Sequence, residues 1–380
     1  MLRKCVSEKD DSLKSLVYFI KSLPIDDVIK RKHVESFKMF SKEWFMYSEL
    51  LPQFRKGNDE SSNQWHANCY LARQDLLVLD DLTAMGYRHI EYRARFNTPL
   101  INCCLKNVAK LHAASIEFDV NVLGDEKFEE KFAEYLIEHS ITEDNQWFLC
   151  GLRAIKGCVP LAKNFYKYKD QWSDEEFDHR IKKTYEIVKP SKVFQNVVCH
   201  QDLWANNIMF KFEKKLNSNE LDFENPVNCT FMDFQFYKYA PPAIDVLQLL
   251  LMTTRLNYRS EKYEEHFRFY HNCLSDELKL RGFDVNEILS WSEFRLSCDE
   301  LRIYPIIYNC VAQPLIYLQP EKQLSMKNDA EKFHHILMVN RMDYMLDAMA
   351  ADDQFKEVIM ENIEELLDCI FGENTNKFIL

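Results

Sequence analysis

Apolar and polar positions follow a strand-like pattern at the start of the chain and helical spacing later, and the change of period divides it. Leu2–Ser7 and Ser15–Lys21 are short runs with β-branched and aromatic content, separated by the polar turn Glu8–Lys14 and closed by Pro24. From Arg31 to Leu51 apolar residues return every three or four positions, at Val34, Phe37, Phe40, Trp44, Phe45 and Leu51. That spacing predicts a helix, with Pro52 as its stop. Arg55–Gln64 is polar and reads as a loop, and the LLVLDDL run within Leu71–Leu82 predicts a buried strand ending in acidic residues. Beyond Thr83 the pattern turns helical at Pro99–Ile116, Glu126–His139 and Asp174–Ile187. Strand-like runs return at Phe194–Cys199, Asn207–Phe212 and Val227–Phe234, and the segment from Pro242 to Phe371 is again mostly helical. The pattern predicts a small strand-rich lobe over residues 1–82 and a large, mainly helical lobe over 83–380 with an embedded strand cluster, an α+β layout.

Composition narrows the function classes. In 380 residues, 48 Lys plus Arg stand against 60 Asp plus Glu, a net charge of −12 with no basic cluster. Such a chain is poorly suited to gripping nucleic acid or anionic membrane. The best apolar stretch, Ala243–Thr254, is interrupted by Asp245 and Gln248 and is too short to span a bilayer. The N-terminus lacks the apolar core of a signal peptide. The 12 cysteines form no Cys-x-x-Cys pair, so free thiols in a cytoplasmic setting are expected. The Asn228-Cys229-Thr230 triplet matches a glycosylation acceptor but falls inside a predicted strand, and is read as chance. Glycine is scarce, with 7 in the chain and the first at Gly57, so no glycine-rich phosphate loop is visible near the start.

The chemistry concentrates in Val197–Phe210, VVCHQDLWANNIMF, where His200, Asp202 and Asn207 have the spacing His-x-Asp-(x)4-Asn. This is the catalytic-loop spacing of protein kinases, in which the Asp meets the acceptor hydroxyl and the Asn holds a metal ion. Phosphoryl transfer asks the protein mainly to aim a nucleophile and to neutralise phosphate charge, so a carboxylate and hard oxygen ligands for Mg²⁺ are the groups required. Downstream, Asp233 in Phe231-Met232-Asp233-Phe234-Gln235 ends an apolar strand where a second metal-binding carboxylate is needed. A hairpin with arms Asn207–Phe212 and Val227–Asp233 and a loop at Glu213–Pro226 would bring Asn207 and Asp233 together. The competing structural reading makes His200 and Asp202 satisfied turn residues and Asp233 a strand-end cap.

Upstream, Lys21 ends the strand SLVYFIK, the setting of a phosphate-holding Lys, with Glu43 on the following helix as its partner and Glu35 as a fallback. A lone strand Lys is ordinarily a solvated edge charge; the downstream motifs give this one its meaning. Asp245, in PPAID, opens a helical run, where it either favours the helix dipole or accepts backbone N–H bonds that fix the catalytic loop.

Taken as a set, HQDLWANNIMF, FMDFQ and APPAIDVLQLL resemble the ecdysteroid kinase-like family of arthropods, related to choline and aminoglycoside kinases. YFIKSLP, FSKEWFMYSELLP, LVLDDLTAMGYR and VAKLHAAS support the resemblance along the chain. It implies a two-lobed protein-kinase-like fold that transfers the γ-phosphoryl group of ATP to a hydroxyl of a small molecule, an ecdysteroid or a detoxified xenobiotic. It also implies Asp202 with His200 as catalytic residues, Asn207 and Asp233 as Mg²⁺ ligands, and Lys21 with Glu43 at the phosphates. Asp80, Asp81 and Leu82 become the hinge that receives adenine, and Asp245 becomes structural. One departure stands out: the family places several dozen residues ahead of the Lys strand, whereas here that strand starts at residue 15 and only Leu2–Ser7 precedes it. The N-lobe is therefore expected to be incomplete, lacking the first strand and the nucleotide-covering loop.

Two other functions compete with a small-molecule kinase. One is a pseudokinase, a binding module without turnover because of the shortened N-lobe. The other is a metal-dependent hydrolase built on His200, Asp202, Asp233 and His112, which lacks closely spaced His ligands and leaves Asn207 idle. The acceptor pocket is expected to draw on the aromatics after Pro242, Tyr258, Tyr263, Phe267, Phe269, Tyr270, Trp291, Tyr304 and Tyr308, against the bland reading that such rings are core. No protein partner is expected.

Overall fold

The computed structural model describes residues 3–6, 15–24, 26–54 and 65–372. The expected turn Glu8–Lys14 and loop Arg55–Gln64 lie outside the described residues. Contacts divide the chain into two compact units, the first of Met1–Leu136, Val197–Tyr239 and Glu264–Ser290, the second of Ile137–Asn196, Ala240–Tyr263 and Trp291–Leu380.

In the first unit, β1 (Arg3–Val6), β2 (Ser15–Ser22), β3 (Cys69–Arg73) and β4 (Leu76–Asp80) form an antiparallel sheet in the order β1-β2-β4-β3. The register sets Lys21 opposite Leu77 and Phe19 opposite Leu79. Side chains alternate along a strand, so Phe19 and Lys21 share one face with the buried Leu77 and Leu79. The single strand expected over Leu71–Leu82 is instead a hairpin that turns at Gln74–Asp75. Its outer arm, β3, is largely exposed, so the apolar run belongs to the inner arm alone.

The helix expected over Arg31–Leu51 is broken. Val28–Ser36 ends at Phe37, Lys38 takes a left-handed conformation with φ 54°, and a second helix begins at Met39–Phe45. That helix widens into a π-turn at Met46–Leu50 and continues as Leu51–Phe54, so Pro52 lies inside it and does not stop it. Proline lacks an N–H and its ring crowds the carbonyl four residues earlier. A wider turn just before it, closed by the Leu51 N–H on the Met46 carbonyl, accommodates both effects.

A helix at Thr98–Phe118, capped by the Asn97 side chain on the Leu100 N–H at 3.0 Å, packs against β6 (Val197–Cys199) and β8 (Leu221–Phe231). With β5 (Tyr87–Arg88) and β7 (Ile208–Lys214), β8 forms an antiparallel sheet in the order β5-β7-β8. The β7–β8 hairpin is longer than its sequence suggested: pairing continues through two irregularities to Lys214 and Leu221. The helical stretch expected at Glu126–His139 is two short helices, Phe128–Lys131 and Ala133–Leu136.

The second unit is helical. Gln146–Cys158, unrecognised in the sequence pattern, starts from an Asn145 cap; Asp174–Ile181 and Thr184–Ile187 replace one expected helix. Ala243–Thr253, buried at every position, packs on Ile303–Ile316, which in turn packs on Asp353–Phe371. Leu256–Leu280 begins in this unit and continues into the first. Among the described residues, no helix is long and apolar enough to cross a membrane.

Candidate active site

The first unit gathers Lys21, Glu43, His200, Asp202, Asn207 and Asp233. β6 is anchored to the Thr98–Phe118 helix by the Val198 N–H on the Ser115 hydroxyl at 2.9 Å, and the loop His200–Asn207 leaves its end. His200 is fully buried. Its Nε2 meets the Met232 carbonyl at 2.9 Å, and its Nδ1 accepts the Asp202 N–H at 3.2 Å. A carbonyl on one side and an N–H on the other assign the neutral Nε2–H tautomer. Gln201, between them, is held at φ 65°.

Asn207 closes the loop. Its Nδ2 donates to the Asp202 carbonyl at 2.9 Å and to the Asp202 carboxylate at 2.7 Å. Its own carbonyl accepts the Met232 N–H at 2.9 Å, which locks the strand before Asp233 to the loop. Asp233 then adopts a left-handed backbone, φ 65° and ψ 64°, a conformation that costs a non-glycine residue roughly 1–2 kcal/mol. The following ring offsets it. Phe234 is fully buried, 4.6 Å from the His200 ring, and meets Tyr47 and Trp65 edge-on at 5.9 and 6.3 Å.

Lys21 reaches the same place from β2. Its ammonium lies 2.5 Å from Glu43 and 2.8 Å from Asp233. Glu35, the fallback, pairs instead with Arg31 on its own helix. Burial alone would loosen the Lys21 proton, but Glu43 and Asp233 more than offset this and hold its affinity above the ordinary lysine value. Glu43 is pushed up to about 7, first by burial, with partial relief from Lys21 and further repulsion from Asp233. One ammonium between two carboxylates leaves an unbalanced negative charge, and the Asp233 side chain is 29% exposed.

The expected hinge residues end β4. The Asp80 carboxylate accepts the Tyr70 hydroxyl at 2.7 Å and the Asn68 N–H at 2.9 Å, while that of Asp81 accepts the Ala84 N–H at 3.0 Å. The carbonyls of Asp81 and Leu82 close the following turn onto Met85 and Tyr87. Asp245 lies in the second unit, fully buried in the first turn of Ala243–Thr253. Of the aromatics expected around an acceptor, Phe267, Tyr270, Tyr304 and Tyr308 are buried, and the Tyr270 hydroxyl is 2.7 Å from His112. These rings follow the bland reading and are core.

Sequence reasoning missed two contributors. Phe19 is 50% exposed on the Lys21 face of the sheet, and its position two residues before Lys21 was the available signal. Trp65–His66 runs beside the Asp233 strand, with the Trp65 carbonyl accepting the Phe231 N–H at 2.8 Å. No sequence spacing marks that long-range pairing.

The site can hold the groups the motifs imply. The Asn207 amide nitrogen is committed to Asp202, which leaves its oxygen as the coordinating atom, and Asp233 adds a carboxylate; both are hard donors suited to Mg²⁺. Lys21 beside the apolar face of Phe19, Leu77 and Leu79 suits a nucleotide, with a charged tail and a flat body.

The sequence profile of the ecdysteroid kinase-like family matches residues 1–283. Among solved structures, an ethanolamine kinase from Plasmodium vivax is similar at 12% identity, over 94% of this chain and 83% of that one, with a TM-score of 0.42. No match was found among the curated proteins.

Proposed function

Since this chain belongs to the ecdysteroid kinase-like family, we propose that it is a kinase that transfers the γ-phosphoryl group of ATP to a hydroxyl of a small apolar polyol. The family supports a small-molecule phosphotransferase; the apolar polyol, an ecdysteroid or a foreign compound made more polar, is the finer reading. The observation that carries it is the convergence of Lys21, Glu43 and Asp233 on one point, tied through Met232 and Asn207 to Asp202.

In this reading Asp202 accepts the proton of the acceptor hydroxyl as it attacks, and Asn207 aims that carboxylate through its amide N–H. Both ring nitrogens of His200 face backbone groups, so His200 is a positioning residue that holds the loop to the Asp233 strand. Asn207 and Asp233 would hold Mg²⁺, which would neutralise charge on the phosphates. Glu43 keeps the Lys21 ammonium aimed at the phosphate position. Phe19 offers a flat apolar surface to the base. With the Asp81 and Leu82 carbonyls engaged in their turn and the Asp80 N–H donated to the Asn68 carbonyl at 3.0 Å, the base edge is read mainly by the N–H groups of Asp81 and Leu82. Asp245 serves structure, and the division into lobes at residue 82 goes with this assignment.

The test is turnover of Mg²⁺·ATP with a panel of hydroxylated acceptors, followed by Asp202→Asn. General-base loss should lower the rate by roughly 10²–10⁴-fold with nucleotide affinity unchanged. An Asp202→Asn protein with full activity removes the assigned base. Nucleotide binding without turnover on any acceptor makes the chain a binding module.

A further inference from the structure

The second unit contains a charge imbalance of its own, outside every residue assigned above. Arg341 is buried to 1% exposure, and its guanidinium meets only carbonyls, those of Val311 at 2.7 Å, Trp147 at 3.2 Å and Leu337 at 3.3 Å, with its plane over the Trp147 ring. Its Nε has no hydrogen-bond partner. Among the described residues it has no carboxylate partner. A guanidinium stays charged in proteins, and a buried charge is ordinarily paired. Burial first, partly opposed by Cys150 and aided by neighbouring Arg153, lowers its proton affinity to about 10, so the charge persists at neutral pH.

Arg153 lines a cavity of about 250 Å³ between two helices. Leu149, Leu152, Arg153 and Lys156 present one face of Gln146–Cys158, while Asp178 and Ile181 come from Asp174–Ile181, Lys182 from the turn after it and Tyr185 from Thr184–Ile187. Lys156 is neutralised by Asp178 at 3.0 Å, with Asp174 also at 3.5 Å, and straps the helices together. That leaves Arg153, whose guanidinium donates only to the Val339 carbonyl, and the exposed Lys182, neither with a carboxylate partner among the described residues. Glu143 is the one acid of the lining not paired with a lysine. The floor is Leu149, Leu152 and Ile181. An apolar floor beside two cations that lack carboxylate partners, Arg153 and Lys182, is complementary to one ligand class.

We propose that this cavity binds a compact amphipathic monoanion, an aromatic or branched carboxylate whose ring or branch lies on Leu149, Leu152 and Ile181 and whose carboxylate meets Arg153 and Lys182. The volume admits roughly one ring with its substituent, since a cavity of about 150 Å³ already holds benzene. A ligand of that size binds with a dissociation constant on the order of 1 mM.

The test is thermal unfolding of the full chain with benzoate, with benzyl alcohol as a neutral probe of the same shape. Benzoate at about five times its dissociation constant should raise Tm by roughly 1 °C, and benzyl alcohol should raise it less. The double variant Arg153→Gln, Lys182→Gln alters two rim side chains, so its ligand-free Tm should be unchanged while benzoate binds about tenfold more weakly. Equal effects of the two probes, equal benzoate binding by the variant, or no benzoate effect at about 10 mM would each overturn the proposal. Because no residue of the kinase assignment lines the cavity, failure of either reading leaves the other standing.

Discussion

Two clusters of buried charge, one in each unit, are built from the same residue types and differ in balance. In the second unit Arg259 and Glu365 are paired and almost wholly enclosed, and Arg255 meets Glu361 at 2.7 Å. The remaining acceptor capacity is used by the Leu256 N–H on Glu361 at 2.7 Å and the Tyr263 hydroxyl on Glu365 at 3.5 Å. At the enclosed core one cation, Arg259, faces one full carboxylate partner, Glu365; Arg255, 31% exposed, forms the rim and also lies 3.8 Å from Glu357. In the first unit one ammonium, Lys21, faces Glu43 and Asp233, and two of the three side chains are more than a quarter exposed. A balanced, closed cluster is complete as protein architecture. An unbalanced, open one is complete only with a cation, which is why the Lys21 cluster reads as a site and the Arg259 cluster does not.

The largest expected effect breaks the closed cluster. Glu365→Leu leaves Arg259 buried beside no full partner and should destabilise the protein by about 3–5 kcal/mol in urea unfolding. The double variant Glu365→Leu, Arg259→Met should recover most of that, because the desolvation cost goes with the charges. If the double variant is as unstable as the single one, the pair is more than an exchangeable structural contact. A smaller effect is expected where the unbalanced Arg341 is seated. A Cβ at Gly151 would lie 2.6 Å from a Val311 methyl and 2.9 Å from the Arg341 guanidinium. Gly151→Ala should therefore cost about 1–3 kcal/mol, read in the same unfolding experiment. No change would show that the helix shifts freely and that Arg341 is not tightly held.

These clusters also mark how much was legible in the chain itself. The His200–Asp202–Asn207 spacing and Asp233 are local signals, and the structure brings them together by a hairpin that the apolar pattern already suggested. Lys21 and Glu43 could be paired because each sits on an element with a clear period. What escaped depends on contacts distant in sequence. The break at Lys38 and the π-turn before Pro52 leave the apolar spacing of Arg31–Leu51 intact, so period alone cannot show them. The turn at Gln74–Asp75 has no Gly or Asn-Gly signal, and an exposed β3 carries little apolar pattern. Gln146–Cys158 was overlooked although Asn145 caps it, because two glycines, Gly151 and Gly157, weaken its helical look; both sit where a Cβ would collide with neighbouring side chains. Arg341 resembles any surface arginine until its surroundings are known.

In the open cluster, Asp233→Asn should move stability by no more than about 1 kcal/mol, since Asn tolerates the left-handed backbone and Lys21 keeps Glu43. Mg²⁺-dependent nucleotide binding should be lost, as read by calorimetry with and without the metal. A variant that loses stability but keeps metal dependence would make Asp233 architectural, like Glu365.

The smallest effect is a slope. Glu43 is pushed up to about 7 from an ordinary value of 4.5, by burial first and only partly opposed by Lys21. Between those values the folded state holds the proton that the unfolded chain has released. The group's contribution to stability is therefore full at low pH, declines as pH rises across that window, and is level above it. This is the opposite of a salt-bridged carboxylate with a depressed value. Urea midpoints of the protein without metal or nucleotide, compared between about pH 5 and about pH 8, should fall more steeply than those of Glu43→Gln. Asp233→Asn should shift the same decline to lower pH, because it removes the second carboxylate that repels Glu43. An identical slope in all three proteins would mean that Lys21 balances Glu43 alone, and the distinction between the open and the closed cluster would then rest on exposure and not on charge.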